Sequence, residues 1–232
     1  MYYIDHYNSP FGGITLASDG SALNGLWFDG QKYFGETLPP RGMQDGNNGK
    51  KERRKREAAL HKQDSLQAEE LCRGAMYVFG RTKEWLDAYF HGKIPGFMPP
   101  LALFEERETE EKTDADAAQY AAERDFSDMM LLGEKPPRFT RITPFRRAIW
   151  SVLLTIPYGE TMSYGQIARE VAKRGSAEQV SAQAVGGAVG HNPVSIIVPC
   201  HRVISSDGSL TGYAAGIDVK WKLLALEGAK IF

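Results

Sequence analysis

The sequence predicts a mixed α/β fold in two domains. Residues 1–102 form an N-terminal domain with a small antiparallel sheet plus a helix, and residues 138–232 a mainly helical domain. Residues 103–137 join them as an acidic linker. Three observations lead there: short β-forming runs between turn residues before residue 38, helical apolar spacing near residues 85–90, and a series of capped segments after residue 138.

The elements follow in order. Tyr2-Tyr3-Ile4 and Gly13-Ile14-Thr15-Leu16-Ala17 are strands around the turn Asn8-Ser9-Pro10, and Gly25-Leu26-Trp27-Phe28 is a third after Ser18-Asp19-Gly20-Ser21. The stretch from about 39 to 75 reads as a charged insertion. Its run Lys50-Lys51-Glu52-Arg53-Arg54-Lys55-Arg56 suits phosphate binding or a localisation signal, but solvated surface is the plainer reading. Trp85, Leu86, Tyr89 and Phe90 give a helix from Thr82 that ends before Gly92 and Pro95. The acidic run from Glu105 to Asp116 lies in the linker, with a short helix expected at about Ala117–Ala122.

After residue 138, Thr143 serves as an N-cap with Pro144 at the first helical position. Phe145, Ile149, Val152 and Leu153 give that helix one buried face, and Pro157-Tyr158-Gly159 stops it. Ser163 caps a second helix from Tyr164 to about Ala172. A third follows, from about Ser176 or Ser181 to Gly190, and a last one from about Val219 to Leu226.

Bulk properties narrow the function classes. No run of about 18 apolar residues exists to span a membrane. The first residues, Met1 to His6, lack the basic and apolar regions of a signal peptide. Cys72 and Cys200 make neither a disulfide framework nor a metal-ligand cluster, which fits a reducing compartment, cytoplasm or nucleus. His6, His61 and His91 read as isolated surface residues, and no metal site is expected. The net charge of −1 conceals an asymmetry: residues 137–232 carry 11 Lys/Arg against 6 Asp/Glu, leaving 17 against 23 before them. A basic C-terminal part suits an acidic partner such as nucleic acid.

The sharpest chemical signal is Ile196-Ile197-Val198-Pro199-Cys200-His201-Arg202-Val203. A cysteine attacks as thiolate, so it needs a base or positive charge nearby. His201 is adjacent, but neighbours in an extended strand point to opposite faces. The backbone must therefore turn at Pro199-Cys200 for the two to cooperate. The competing reading is a buried, inert cysteine beside a surface histidine. Further upstream, Tyr164-Gly165-Gln166-Ile167-Ala168 resembles the first helix of a helix-turn-helix. The second would be Ala182-Gln183-Ala184-Val185-Gly186-Gly187-Ala188-Val189-Gly190. Its small residues suit either close approach to DNA or close packing in a core.

Taken together, Thr143-Pro144-Phe145, Ile156-Pro157-Tyr158-Gly159-Glu160-Thr161, Ser163-Tyr164-Gly165, Ala184-Val185-Gly186-Gly187-Ala188, Asn192-Pro193, Pro199-Cys200-His201-Arg202-Val203 and Leu223 to Gly228 carry a resemblance. Over roughly 90 residues the chain resembles the O6-alkylguanine-DNA alkyltransferases, also called methylated-DNA–protein-cysteine methyltransferases. Ser9-Pro10-Phe11-Gly12-Gly13 and Trp85 to Phe90 resemble that family's N-terminal domain. The insertions at about 39–75 and 103–137 match nothing in it.

The resemblance implies an irreversible, cofactor-free transfer of an alkyl group from O6 of guanine in double-stranded DNA to Cys200, by a monomer. It implies that His201 takes the thiol proton through a water and that Glu227 orients His201. Asn192 would be a hinge bonded to backbone near the cysteine, and Tyr164 would press on a phosphate and donate to guanine N3. Tyr213 would wall the pocket; backbone near Cys200, Val203 and Ala214 would read the flipped base. Arg202 and the helix residues Gln183, Ala184, Gly186 and Gly187 would complete the DNA-binding set. One departure stands out: the family usually has an arginine where this chain has Gln183. Glutamine is shorter and uncharged, so weaker flipping or DNA affinity is expected, with the chemistry retained. The alternatives are an alkyltransferase-like lesion sensor that does not transfer, and a cysteine hydrolase using Cys200 and His201.

Overall fold

The computed structural model describes residues 2–38, 50–104, 142–175 and 180–230. The acidic stretch 105–137 with its expected short helix, residues 39–49 of the first insertion, and residues 176–179 of the loop between the paired helices lie outside them.

Strands β1 (Tyr3–Ser9), β2 (Gly12–Ser18) and β3 (Leu23–Phe28) form an antiparallel meander in the order β1-β2-β3. The register pairs Tyr7 with Ile14 and Leu16 with Leu26. Strand β1 alternates half-buried and exposed side chains, as an edge strand with one wet face does. Strand β2 is buried on both faces from Ile14 to Ser18.

The other edge of the sheet positions the site. Leu26 N–H donates to the Pro193 carbonyl (2.8 Å), and Ser195 N–H donates to the Leu26 carbonyl (2.8 Å). Residues 193–195 thus extend the sheet beyond β3. Pro193, which has no N–H to offer, is tolerated there because this is an outermost segment.

Helix α1 runs from Lys50 to Phe90, 41 residues. The expected helix from Thr82 is therefore only its last part, and the expected insertion is helical from Lys50 onward. Ala75, Val78, Phe79, Thr82, Trp85, Leu86 and Tyr89 form its buried stripe at three- and four-residue spacing. Gly74 is required where α1 crosses the β2–β3 turn: a Cβ there would lie 2.0 Å from the Gly20 carbonyl oxygen. The helix ends in a Schellman motif. Gly92 takes a φ of 71°, its N–H donates to Tyr89, and Lys93 N–H donates to Ala88.

The helices of the C-terminal part begin where their caps dictate. Thr143 is extended, and its hydroxyl accepts from Arg146 N–H, opening α2 (Pro144–Leu153). Ser163 and Gln166 form a reciprocal capping box at α3 (Tyr164–Lys173). The Ser181 hydroxyl accepts from Ala184 N–H at α4 (Ala182–Gly190). Helix α5 spans Ile217–Leu226. Trp150, fully buried and absent from the predicted core face, donates its indole N–H to the Ala188 carbonyl at 2.9 Å and ties α2 to α4. Short strands β4 (Met162–Ser163) and β5 (Val203–Ile204) pair in parallel in front of α3. Buried side chains of the sheet, α1 and α2–α5 form one contiguous apolar cluster, so the two parts share a core. Among the described residues no helix is long and apolar enough to cross a membrane.

Candidate functional site

Between α4 and β5 the chain makes two tight reversals. Ile197 N–H donates to the Ser195 carbonyl (2.9 Å) around Ile196, whose φ is 71°. A β-branched residue with positive φ stores strain, and a γ-turn of this hand is rare. Cys200 N–H donates to the Val198 carbonyl (2.8 Å) around Pro199, at φ −81° and ψ 62°, an inverse γ-turn. The strained turn is held between the bond of Ser195 to β3 and the bond from Val198 N–H to Val194 (3.1 Å).

The backbone does turn at Pro199-Cys200, as the Cys-His pair required. Cys200 itself lies not on a strand but on one turn of 3-10 helix, Cys200–Arg202, with β5 starting at Val203. The proline sets up this turn, and extended backbone begins only three residues later.

Asn192, buried just beyond the end of α4, holds the sulfur. Its Nδ2 donates to the Val198 carbonyl (2.8 Å), to the Val194 carbonyl (3.3 Å) and to Cys200 Sγ (3.1 Å), and its Oδ1 accepts from Val194 N–H (3.0 Å). Burial pushes the Cys200 thiol up; the Asn192 bond, the Lys220 charge and local backbone amides pull it back without reversing the rise. The resting group is therefore a thiol, and attack needs a base.

Glu227, just after α5, collects five hydrogen bonds. His201 Nε2 donates to Oε1 (2.8 Å), Tyr89 hydroxyl to Oε1 (2.7 Å), Arg202 to both oxygens (2.8 and 2.9 Å), and Gly159 N–H to Oε2 (3.1 Å). Burial opposes ionisation of Glu227, but the hydrogen bonds and charges of His201 and Arg202 prevail and hold its carboxyl down to about 2. His201 is fully buried. Burial lowers its pKa, helped by the charges of Arg202 and Lys220 and resisted by Glu227, so the ring is neutral at neutral pH. With Nε2–H committed to Glu227, the neutral ring carries its lone pair on Nδ1. That atom is buried without a hydrogen-bond partner among the described residues. A base on the residue after the cysteine, with a free lone pair, is the arrangement a thiol-activating relay requires.

Arg202 departs from its expected place among DNA contacts. Its guanidinium also donates to the Ile156 carbonyl (2.6 Å), and its side chain is only 11% exposed. All its donor nitrogens face inward because the buried Glu227 charge needs a partner.

Tyr164, at the start of α3, lies close enough to Cys200 for a thiolate to raise its pKa, though burial is the larger cause. Its hydroxyl donates to the Thr211 carbonyl at 3.3 Å, and its ring lies against Gly186. The Tyr213 hydroxyl is buried beside Ser195, with no well-formed bond among the described residues, and burial holds its pKa well above 10. The Ala214 carbonyl accepts from Lys32 N–H at 3.0 Å, which ties the loop before α5 to the N-terminal segment. Val203 is buried. Gln183, Ala184 and Gly187 are exposed on the outer face of α4, while Val185, Ala188 and Val189 are buried.

Two site residues escaped the sequence reading. Tyr89 reads as one more apolar position of α1, and nothing local marks its hydroxyl. Lys220 had a signal: it stands three and four residues before Leu223 and Leu224, on the buried stripe of α5. Its Nζ donates to the carbonyls of Val203 (2.5 Å) and Thr211 (2.7 Å). Burial lowers its pKa to about 8, partly offset by the nearby sulfur.

Fold and site define a protein that joins a buried cysteine held by an asparagine, a buried His-Glu pair and two capped helices, the second with small residues on its outer face. Residues 144–229 match the family model described as 6-O-methylguanine DNA methyltransferase, DNA binding domain. The chain is 55% identical over 87 residues to the methylated-DNA–protein-cysteine methyltransferase of Mycolicibacterium paratuberculosis, covering 38% of this chain and 50% of that one. It is 50% identical over 92 residues to that of Shigella flexneri, covering 40% and 51%. The chain thus spans about half the length of the curated relatives it matches. The structure of Mycobacterium tuberculosis O6-methylguanine methyltransferase aligns with a TM-score of 0.54 at 30% identity, covering 98% of this chain and 93% of that one. The same organism's protein in complex with DNA aligns with a TM-score of 0.56 at 31% identity, covering 96% and 91%. The chain belongs to the O6-methylguanine methyltransferase family.

Proposed function

We propose that this protein repairs O6-alkylguanine in double-stranded DNA by moving the alkyl group onto Cys200, once per molecule. The observation that carries the reading is the contact of Asn192 with Cys200 Sγ beside the buried His201–Glu227 pair. A lesion sensor has no use for an activated sulfur.

The steps follow from the groups in place. The exposed face of α4, with Gln183, Ala184 and Gly187, meets the duplex, and the modified base leaves the stack because a buried sulfur cannot reach a paired one. Tyr164 and Tyr213 flank the flipped base; Tyr164 donates to guanine N3, and backbone near Val203 and Ala214 reads its edge. The Cys200 proton passes through a water to His201 Nδ1, and Glu227 stabilises the resulting imidazolium. Asn192 and Lys220 stabilise the thiolate. The sulfur attacks the alkyl carbon in line: the S–C bond forms, the C–O6 bond breaks, and its electron pair goes to guanine. Guanine then takes up one proton. A thioether has no leaving group that water displaces under these conditions, so the protein is consumed. In this reading the protein acts as a monomer, without metal or cofactor, in the cytoplasm or nucleus.

Binding and transfer are separable. With duplex DNA carrying a labelled O6-methyl group, Cys200→Ala is expected to keep binding and lose label uptake. Uptake persisting in the variant would remove Cys200 from its role.

A further inference from the structure

The oxygen of Glu227 that holds His201 is shared with the N-terminal part of the chain. Oε1 accepts from His201 Nε2 at 2.8 Å and from the Tyr89 hydroxyl, on α1, at 2.7 Å. Tyr89 is fully buried, and its hydroxyl also lies 3.4 Å from His201 Nε2. We infer that Tyr89 is a positioning residue of the Cys200–His201–Glu227 relay, its hydroxyl setting how strongly Glu227 draws on the His201 proton. The inference rests on the repair reading for its role in activity, but the coupling itself is a property of the folded chain.

Two facts fix the direction of the bond. A carboxylate only accepts, and burial together with the Glu227 charge keeps the phenol protonated far beyond neutral pH. Arg202 faces Glu227 from the 3-10 turn, with the Gly159 amide and the Tyr158 ring from the loop after α2. The charges of Lys220 and Arg202 act on His201, Cys200 adjoins it in sequence, and Tyr213 acts on Glu227 from the loop before α5. Of the side chains bonded to the carboxylate, Tyr89 alone lies outside the C-terminal part, and it is a neutral donor. Its loss leaves the net charge of the site unchanged. What changes is the charge that Oε1 presents to His201: with one donor fewer, Glu227 stabilises the imidazolium more. In exchange the ring loses a neighbour that fixes its orientation.

The test is a 15N NMR titration of the His201 ring in the full chain, alongside the pH dependence of single-turnover transfer. In Tyr89→Phe the His201 midpoint is expected to rise by about 0.5 to 1 pH unit, the size of one net hydrogen bond. The acid limb of the transfer rate should move up with it. 3-Fluorotyrosine incorporated in place of Tyr89 is a stronger donor of nearly the same shape and is expected to lower the midpoint. A His201 midpoint that stays put in a folded variant overturns the inference, and a change in melting temperature alone does not support it. If Tyr89→Phe does not fold, the fluorotyrosine protein decides alone. The titration needs no DNA, so a wild-type chain that transfers nothing sinks the repair reading and leaves the coupling to be judged on its own result.

Discussion

Replacing Glu227 by Gln keeps the shape of the relay and removes its charge. The carboxyl is fully buried, as its side-chain exposure of 0% shows, so solvent screening discounts little. Its pKa falls from 4.5 to about 2 on folding. Such a depressed carboxyl contributes stability that is fully present above the unfolded value and is lost as pH falls through the folded one. The difference corresponds to roughly 3 kcal/mol at neutral pH, shrinking to about half that near pH 3. The Arg202 guanidinium, left without its anion, is part of that loss rather than an addition to it. Urea denaturation of wild type and Glu227→Gln at pH 7 and pH 3 measures both numbers. The wild type is expected to be more stable by about 3 kcal/mol at pH 7, with the gap narrowing as pH drops. A gap below about 1 kcal/mol, or one that does not change with pH, would refute the buried carboxylate as the charge that holds His201 and Arg202.

Two other changes probe the groups around the sulfur and the DNA-facing helix. Lys220→Met removes a buried cation and is expected to slow transfer roughly tenfold. In the wild type, transfer should decline above about pH 8 as Lys220 loses its proton. Stability should instead rise between there and pH 10.5, because the unfolded chain then binds the extra proton; a rate flat through this range contradicts the role of Lys220. Gln183→Arg restores a long cation on the exposed start of α4. It should tighten binding to duplex DNA and steepen the salt dependence by about one ion, read by fluorescence anisotropy across a salt series. An unchanged slope would mean that this face does not meet phosphates.

Local chemistry was legible and long-range chemistry was not. Thr143 and Ser163 start their helices where the sequence placed them, and Ser181 is the cap used of the two starts left open, because a cap is settled by a few adjacent residues. Helix α1 was read too short. Lys50 to Ala68 is rich in Lys, Arg, Glu, Gln, Ala and Leu, strong helix formers whose charge also suits a solvated insertion. Where the helix crosses the sheet is set by long-range contacts, such as Gly74 with Gly20 in the β2–β3 turn and Asp87 with Tyr7 on β1. The Cys200–His201 pair was visible as a motif, and Glu227 came with the family resemblance. Arg202 looked like a DNA contact because a basic residue beside a nucleophile says nothing of which way it turns. Tyr89 reaches Glu227 across 138 positions, and no periodicity encodes such a meeting.

The most direct measurement is the intact mass of the protein after mixing with duplex DNA that carries one O6-methylguanine. A gain of about 14 Da, mapped to Cys200 and absent with undamaged DNA, is the expected result. Binding to the damaged duplex with no gain in mass would contradict the account and leave a lesion sensor, with Gln183 the first residue to question.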